Sequence, residues 1–212
     1  MRRSPLWTHD FSLAPVPENT VLRLEDLSLR SRFGCKGPGA EGWLAAAGYR
    51  VPPAPNSAAV DADGILVARL ATAEFLIEAA DGAAGRVEST RRQLESAARP
   101  SHVYCVARQD LVIAIEGAAT NTLLRQTCSF DFAPLFERCE PDAGPIILTS
   151  MIGVSVGAFL RRAARSPVLT LWVDPSFAHY FWTTLLEVGR DLGGPVSTAK
   201  LTMNQVQSWS NT

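Results

Sequence analysis

An excess of charge of either sign is the first thing missing from this 212-residue chain, in which 20 Lys and Arg stand against 21 Asp and Glu for a net charge of -1. A weak field of mixed sign excludes the basic surface that holding a phosphate backbone requires, so nucleic acid is not expected as a partner. The short basic runs Arg2-Arg3, Arg91-Arg92 and Arg161-Arg162 with Arg165 are interspersed with apolar or acidic residues and read as solvated faces. A membrane-length apolar run is missing too. The most apolar stretch, Pro145 to Leu160, is broken by Thr149, Ser150 and Ser155, falls short of the ~20 residues that span a bilayer, and reads as buried strand. The start, Met1-Arg2-Arg3-Ser4-Pro5, runs into Trp7, His9, Asp10 and several prolines without the apolar segment of an export signal. Cysteine is scarce: Cys35, Cys105, Cys128 and Cys139 show no paired spacing of the zinc-site or disulfide-scaffold kind, which points to reduced thiols in a cytoplasmic protein.

What is present is apolar mass. A hydrophobic content of 47% can bury a substantial core, as one large domain or two small halves. Residues 1–24 form a Pro-rich arm with the aromatic anchor Trp7 and little periodicity. Arg32 to Lys36 reads as a short strand that enters Gly37-Pro38. Ala40, Trp43, Leu44 and Ala47 then recur at helical spacing until Gly48 supplies a stop. After the loop forced by Pro52, Pro53, Pro55 and Asn56, the runs Ile65 to Leu70 and Glu74 to Ala79 suggest a hairpin around Ala71-Thr72-Ala73. A polar helix from about Arg86 to Ala98 follows.

The plan then repeats. His102 to Ala107 and Leu111 to Glu116 read as strands, and Gly117 opens a helix through Leu123 and Leu124. The runs Ile146 to Leu160 and Pro167 to Val173 lead to Asp174-Pro175, a helix start in which the carboxylate caps free N–H groups and proline presets φ. The helix beyond places Ala178, Phe181, Trp182, Leu185 and Leu186 on one face and His179, Thr183 and Glu187 on the other, and Gly193-Gly194-Pro195 ends it. Each half thus reads as strand, glycine turn, helix, hairpin, helix, a duplicated α+β domain. The domain spans 25–192, with halves of about 25–100 and 101–192, before a C-terminal tail at 193–212.

Several motifs resemble catalytic or cofactor-binding signatures. Gly37-Pro38-Gly39-Ala40-Glu41-Gly42 fits the dinucleotide pattern G-x-G-x-x-G, with Asp61 and Asp63 downstream. Pro38 removes an N–H that such a loop aims at pyrophosphate, and Pro-rich loop precedes Asp61, so nucleotide binding is not expected. Gly153-Val154-Ser155-Val156-Gly157 fits a nucleophile elbow, with Asp174 and His179 following in hydrolase order. The flanking β-branched residues continue a strand instead of turning sharply, so a hydrolase is not expected. His102 with Cys105, and Cys128 with Cys139, supply no converging set of four metal ligands. His9 lies in the arm and His179 on a polar helix face. No catalytic, cofactor-binding or metal-binding residue is assigned.

The segments Leu22-Arg-Leu-Glu-Asp-Leu-Ser28, Arg32-Phe-Gly-Cys-Lys-Gly-Pro-Gly-Ala40, Val51-Pro52, Pro55-Asn56 and Ala73-Glu-Phe-Leu-Ile77 resemble the gamma subunit of heterotetrameric sarcosine oxidase. So do Arg108-Gln109-Asp110, Gly117-Ala118, Leu123-Leu124, Gln126-Thr127-Cys128, Gly153-Val-Ser-Val156 and Val173-Asp-Pro-Ser-Phe-Ala-His-Tyr180. The chain is also similar to the corresponding subunit of N-methylglutamate dehydrogenase. The resemblance implies a fold like the folate-binding domain of the glycine-cleavage T-protein, and a non-catalytic subunit of a complex that oxidatively demethylates N-methyl amino acids. It further implies that FAD, FMN, NAD, tetrahydrofolate and zinc belong to partners: an NAD- and folate-type alpha chain, a flavin-type beta chain and a zinc-type delta chain. Folate-dependent relatives carry an acid just after a glycine-isoleucine pair, whereas here Gly64-Ile65 is followed by Leu66 and Val67. The competing expectation is a stand-alone folate-dependent aminomethyl or methyl transferase using Glu74 or Asp110. A packing subunit needs surface for its neighbours, and Trp7, Phe177, Tyr180 and Trp209 are the candidate interface residues.

Overall fold

A computed structural model describes residues 4–6, 19–80, 82–96, 100–163 and 166–200. Elements in chain order are β1 (Leu22–Asp26), β2 (Arg32–Lys36), α1 (Ala40–Ala46), β3 (Ser57–Val60), β4 (Leu66–Ala71), β5 (Glu74–Glu78) and α2 (Ala84–Glu95). They continue with β6 (Tyr104–Val106), β7 (Leu111–Glu116), α3 (Thr120–Thr127), α4 (Ala133–Arg138), β8 (Ala143–Met151), β9 (Val154–Arg162) and β10 (Pro167–Val173). A single 3-10 turn, Pro175–Phe177, leads into α5 (Ala178–Arg190), and β11 (Val196–Lys200) follows. The architecture is α+β. Among the described residues, no helix is long and apolar enough to cross a membrane.

The chain divides into two compact units. The first draws on Met1–Leu29, Gln109–Pro141 and Ile147–Leu201, the second on Arg30–Arg108 and Asp142–Ile146. β1 begins at Leu22 and β11 at Val196, inside the segments that the sequence reading gives to the arm and the tail. Trp7 and Trp209 lie outside the described residues.

In the first unit the strand order is β11-β1-β7-β10-β9-β8. β11 runs parallel to β1, and the β1–β7, β7–β10 and β10–β9 pairs are antiparallel. Period-two alternation turns Leu111, Ile113 and Ile115 of β7 toward a cluster with Leu22 and Leu24 of β1, Leu169 and Leu171 of β10, and Phe181, Trp182 and Leu185 of α5. These α5 positions recur at helical spacing, so one stripe of the helix is buried and the rest is not. Leu6 joins this cluster with no exposure. Ser4 tethers it by donating its hydroxyl to the fully buried Asp26. The other oxygen of Asp26 accepts the Ser28 N–H at 2.9 Å, and Ser28 Oγ accepts the Val112 N–H at 3.0 Å. This buried carboxylate is therefore satisfied by hydroxyl and amide donors.

In the second unit the order is β3-β4-β5-β2-β6 with every pair antiparallel, and the first residues of β8 pair with β3. Phe33 and Cys35 of β2, Val67 of β4, and Phe75 and Ile77 of β5 meet Leu44 of α1 and Val87 and Leu94 of α2. Arg32 and Glu78, directly opposite on β2 and β5, form an ion pair at 3.2 Å with side chains 0% and 5% exposed. Arg69 is similarly enclosed. It donates to the carbonyls of Pro52, Pro53 and Thr72 and to Glu41 at 2.8 Å, and its guanidinium lies over the Phe75 ring. One arginine thus fastens the proline loop and α1 to β4, and four hydrogen bonds with one cation–π contact offset its desolvation.

Candidate functional site

The start of α5 is a capped surface feature of the first unit. Asp174 accepts the Ser176 N–H at 2.8 Å and the Ser176 hydroxyl at 2.6 Å, as an N-terminal cap should. Those two hydrogen bonds hold its carboxyl below the usual aspartate range. The cap and Pro175 orient the chain so that Ala178, Phe181, Trp182 and Leu185 turn inward while Phe177 and Tyr180 stay 47% and 50% exposed. The Tyr180 hydroxyl donates to the Ile152 carbonyl at the β8–β9 turn, 3.0 Å away. Ile152 holds φ 45, followed by Gly153 at φ 77, and its N–H reaches the Thr127 carbonyl at 2.7 Å. An aromatic ledge on α5 is thereby pinned to a hairpin tip. Tyrosine with one apolar face and one satisfied polar tip suits contact with another macromolecule.

The glycine motif of the second unit serves the fold. Gly37 holds φ 122, and a Cβ there would collide with the His102 carbonyl oxygen. The Gly39 N–H donates to that same carbonyl at 3.3 Å, so it does not face open solvent, and Gly42 is mid-helix with open space around its Cα. Asp61 and Asp63 pair with Arg86 at 3.3 and 2.8 Å, and Asp61 caps the N–H groups of Asp63 and Ile65. All strands of this unit are antiparallel, whereas the dinucleotide fingerprint needs a parallel crossover.

Ser155 lies on the exposed side within β9, with no strand-to-helix turn beside it. Asp174 is engaged in its own cap and His179 sits on the solvent side of α5, so no triad forms. Cys128 lies 3.8 Å from the Thr149 hydroxyl, and Cys139 donates to the Phe136 carbonyl. No group of three or more His, Cys, Asp or Glu arranged to hold a metal occurs among the described residues. Glu74 occupies the start of β5 opposite Lys36, and Asp110 is half-buried just before β7. The two candidate carboxylates fall in different units.

Sequence reasoning missed three features. Ser4–Asp26–Ser28 has no motif, because its members meet only once the chain start folds onto β1. The Arg32–Glu78 pair and the opposition of Cys35 with Cys105 depend on strand register, which spacing along the chain does not reveal.

No family model and no curated protein matches the chain. Among solved structures it is similar to a chain of heterotetrameric sarcosine oxidase from Corynebacterium sp. U-96, in complex with pyrrole 2-carboxylate. Identity is 24%, TM-score 0.66, and the match covers 92% of this chain and 97% of that one. It is also similar to glycine cleavage system aminomethyltransferase T from Bartonella henselae, at 18% identity and TM-score 0.56 over 85% of this chain and 48% of that one. Both are likenesses of fold, and the chain spans about half the length of the aminomethyltransferase.

Proposed function

We propose that this chain is a non-catalytic accessory subunit of a multi-subunit flavin-dependent oxidase or dehydrogenase that oxidatively demethylates N-methyl amino acids. The observation that carries this reading is the end-to-end match, 92% of this chain against 97% of a chain from a heterotetrameric sarcosine oxidase. A polypeptide matched along its whole length supports the same role more directly than a match to half of a larger enzyme. The residues agree. After Gly64-Ile65, where folate-dependent relatives carry an acid, stand Leu66 and Val67, both buried in β4. In this reading an NAD- and folate-type alpha chain, a beta chain with FAD and FMN, and a zinc-type delta chain hold the cofactors. Phe177 and Tyr180 offer interface area to them.

The recurrence of local geometry supports descent of the two units from one duplicated α+β element. Gly37 and Gly117 both hold φ 122. Each stands where a Cβ would strike a carbonyl oxygen, that of His102 and that of Val21 respectively. The Gly39 and Ala119 N–H groups donate to those same two carbonyls, at 3.3 and 3.0 Å. The orders β3-β4-β5-β2-β6 and β8-β9-β10-β7-β1 correspond strand for strand, so the first strand of each copy lies in the other copy's unit.

A second reading, a stand-alone folate-dependent aminomethyl transferase, draws on the likeness to the aminomethyltransferase. It needs a carboxylate in the substrate cleft, with Glu74 and Asp110 as its candidates. Affinity purification of the tagged chain from its own cells separates the two readings. A subunit co-elutes with larger chains carrying flavin absorbance, while a transferase elutes alone and colourless.

A further inference from the structure

In the second unit, the edge strand β6 sets Cys105 directly opposite Cys35 of β2. Directly opposed residues of an antiparallel pair project from one face of the sheet with Cα atoms about 4.5 or 5.5 Å apart. Both spacings fall in the range of roughly 4.4–6.8 Å that the Cα atoms of a disulfide span. Both cysteines are free, and both pack on one apolar cluster, Cys35 fully buried within it and Cys105 half-buried at its border. The Cys105 thiol donates to the Glu95 carboxylate from the last turn of α2 at 3.8 Å, and Arg91 holds that carboxylate at 2.7 Å. The accessible sulfur therefore has a proton acceptor beside it and a second thiol across the strand pair.

We propose that Cys35 and Cys105 are a redox-active dithiol, closed to a cross-strand disulfide by a two-electron oxidant of the peroxide class. The Cys105 sulfur attacks one peroxide oxygen, the O–O bond breaks, and the thiol proton passes through Glu95 to the departing hydroxide, giving a sulfenic acid and water. The Cys35 sulfur then attacks the sulfenic sulfur. The S–O bond breaks, and the hydroxyl leaves with the Cys35 proton as a second water. Two thiols and one hydrogen peroxide yield one disulfide and two waters, the sulfurs losing the two electrons that the peroxide gains.

Burial sets the order and pace of these steps. It pushes the Cys35 thiol up to about 12, so the reaction opens at Cys105. The Cys105 thiol is itself raised, first by burial and then by the Glu95 charge. Because only the thiolate is strongly nucleophilic, closure is slow, answering sustained oxidation and reversed by a small dithiol. The product staples the three-residue edge strand β6 to β2.

The test treats the full-length chain with hydrogen peroxide for hours near neutral pH, blocks remaining thiols and maps peptides without reductant. The expected result is one linked peptide joining Cys35 and Cys105, two of the four thiols lost, and their recovery with dithiothreitol. In Cys105→Ser the same treatment is expected to leave Cys35 a free thiol. The proposal is overturned if Cys35 stays free in the treated wild-type chain, whether Cys105 is then unmodified, over-oxidised, or bridged to Cys128 or Cys139.

Discussion

Tyr180 donates its hydroxyl to the carbonyl of Ile152 across 3.0 Å, joining the first turn of α5 to the tip of the β8–β9 hairpin. Ile152 holds φ 45 there, a conformation that costs a β-branched residue on the order of 1–3 kcal/mol. Asparagine tolerates it, and Asn followed by glycine at positive φ is the favoured two-residue hairpin turn. Ile152→Asn is expected to leave the isolated chain as stable as wild type or up to about 1 kcal/mol more stable, measured by urea unfolding. A loss beyond about 1 kcal/mol would mean that the contacts of Ile152 with the core outweigh the backbone strain.

The glycine motif separates a structural role from a ligand-binding one. Gly37→Ala and Gly117→Ala each place a Cβ against a carbonyl oxygen at positive φ, and each is expected to cost about 3–5 kcal/mol. Gly42→Ala meets open space within α1 and is expected to add roughly 0.5–1 kcal/mol. Chemical denaturation of the three variants checks the ranking. Destabilisation by Gly42→Ala comparable to that of Gly37→Ala would contradict it.

The buried pair Arg32–Glu78 predicts strong coupling. Removing one partner strands a charge in a dry site, so Glu78→Ala is expected to cost about 3–5 kcal/mol. Arg32→Met with Glu78→Leu is expected to recover most of that loss, because two apolar side chains leave no orphaned charge. A double variant as unstable as the single one would contradict this account.

Alkaline stability tests the burial of Cys35. Its pKa is raised in the fold from 9.0 to about 12, so above 9 the unfolded chain releases a proton that the folded chain keeps. Stability is therefore undiminished below pH 9 and falls as pH rises toward about 12. Tyr49, raised mainly by burial, adds to the same slope. Cys35→Ala is expected to flatten the fall of unfolding free energy across that window, and an unchanged slope would place the titration elsewhere.

Much of the fold was legible because its signals are local. Gly37 and Gly117 after short strands, the apolar runs of β4, β5 and β10, and the Asp174-Pro175 cap all report on residues within a turn of one another. The arm reading of residues 1–24 takes in Leu22 to Leu24, the start of β1, because they follow a Pro-rich stretch and the partner β7 is far along the chain. The short α4 buries no residue completely, so it leaves no apolar stripe to read. The site was less legible for the same reason. Phe177 and Tyr180 could be named from the helix period, whereas Ile152 and its hydrogen bond to Tyr180, and Cys105 opposite Cys35, come from tertiary placement and register.

In the proposed reading this chain contributes shape and surface to a complex while other polypeptides carry the chemistry. The most direct test of that reading is turnover by the purified chain alone, supplied with tetrahydrofolate and either an aminomethyl donor or an N-methyl amino acid. No product above the enzyme-free rate is expected, with activity appearing only when flavin-bearing partner chains are restored. Folate-dependent turnover by the isolated chain, abolished by Glu74→Gln or Asp110→Asn, would contradict it.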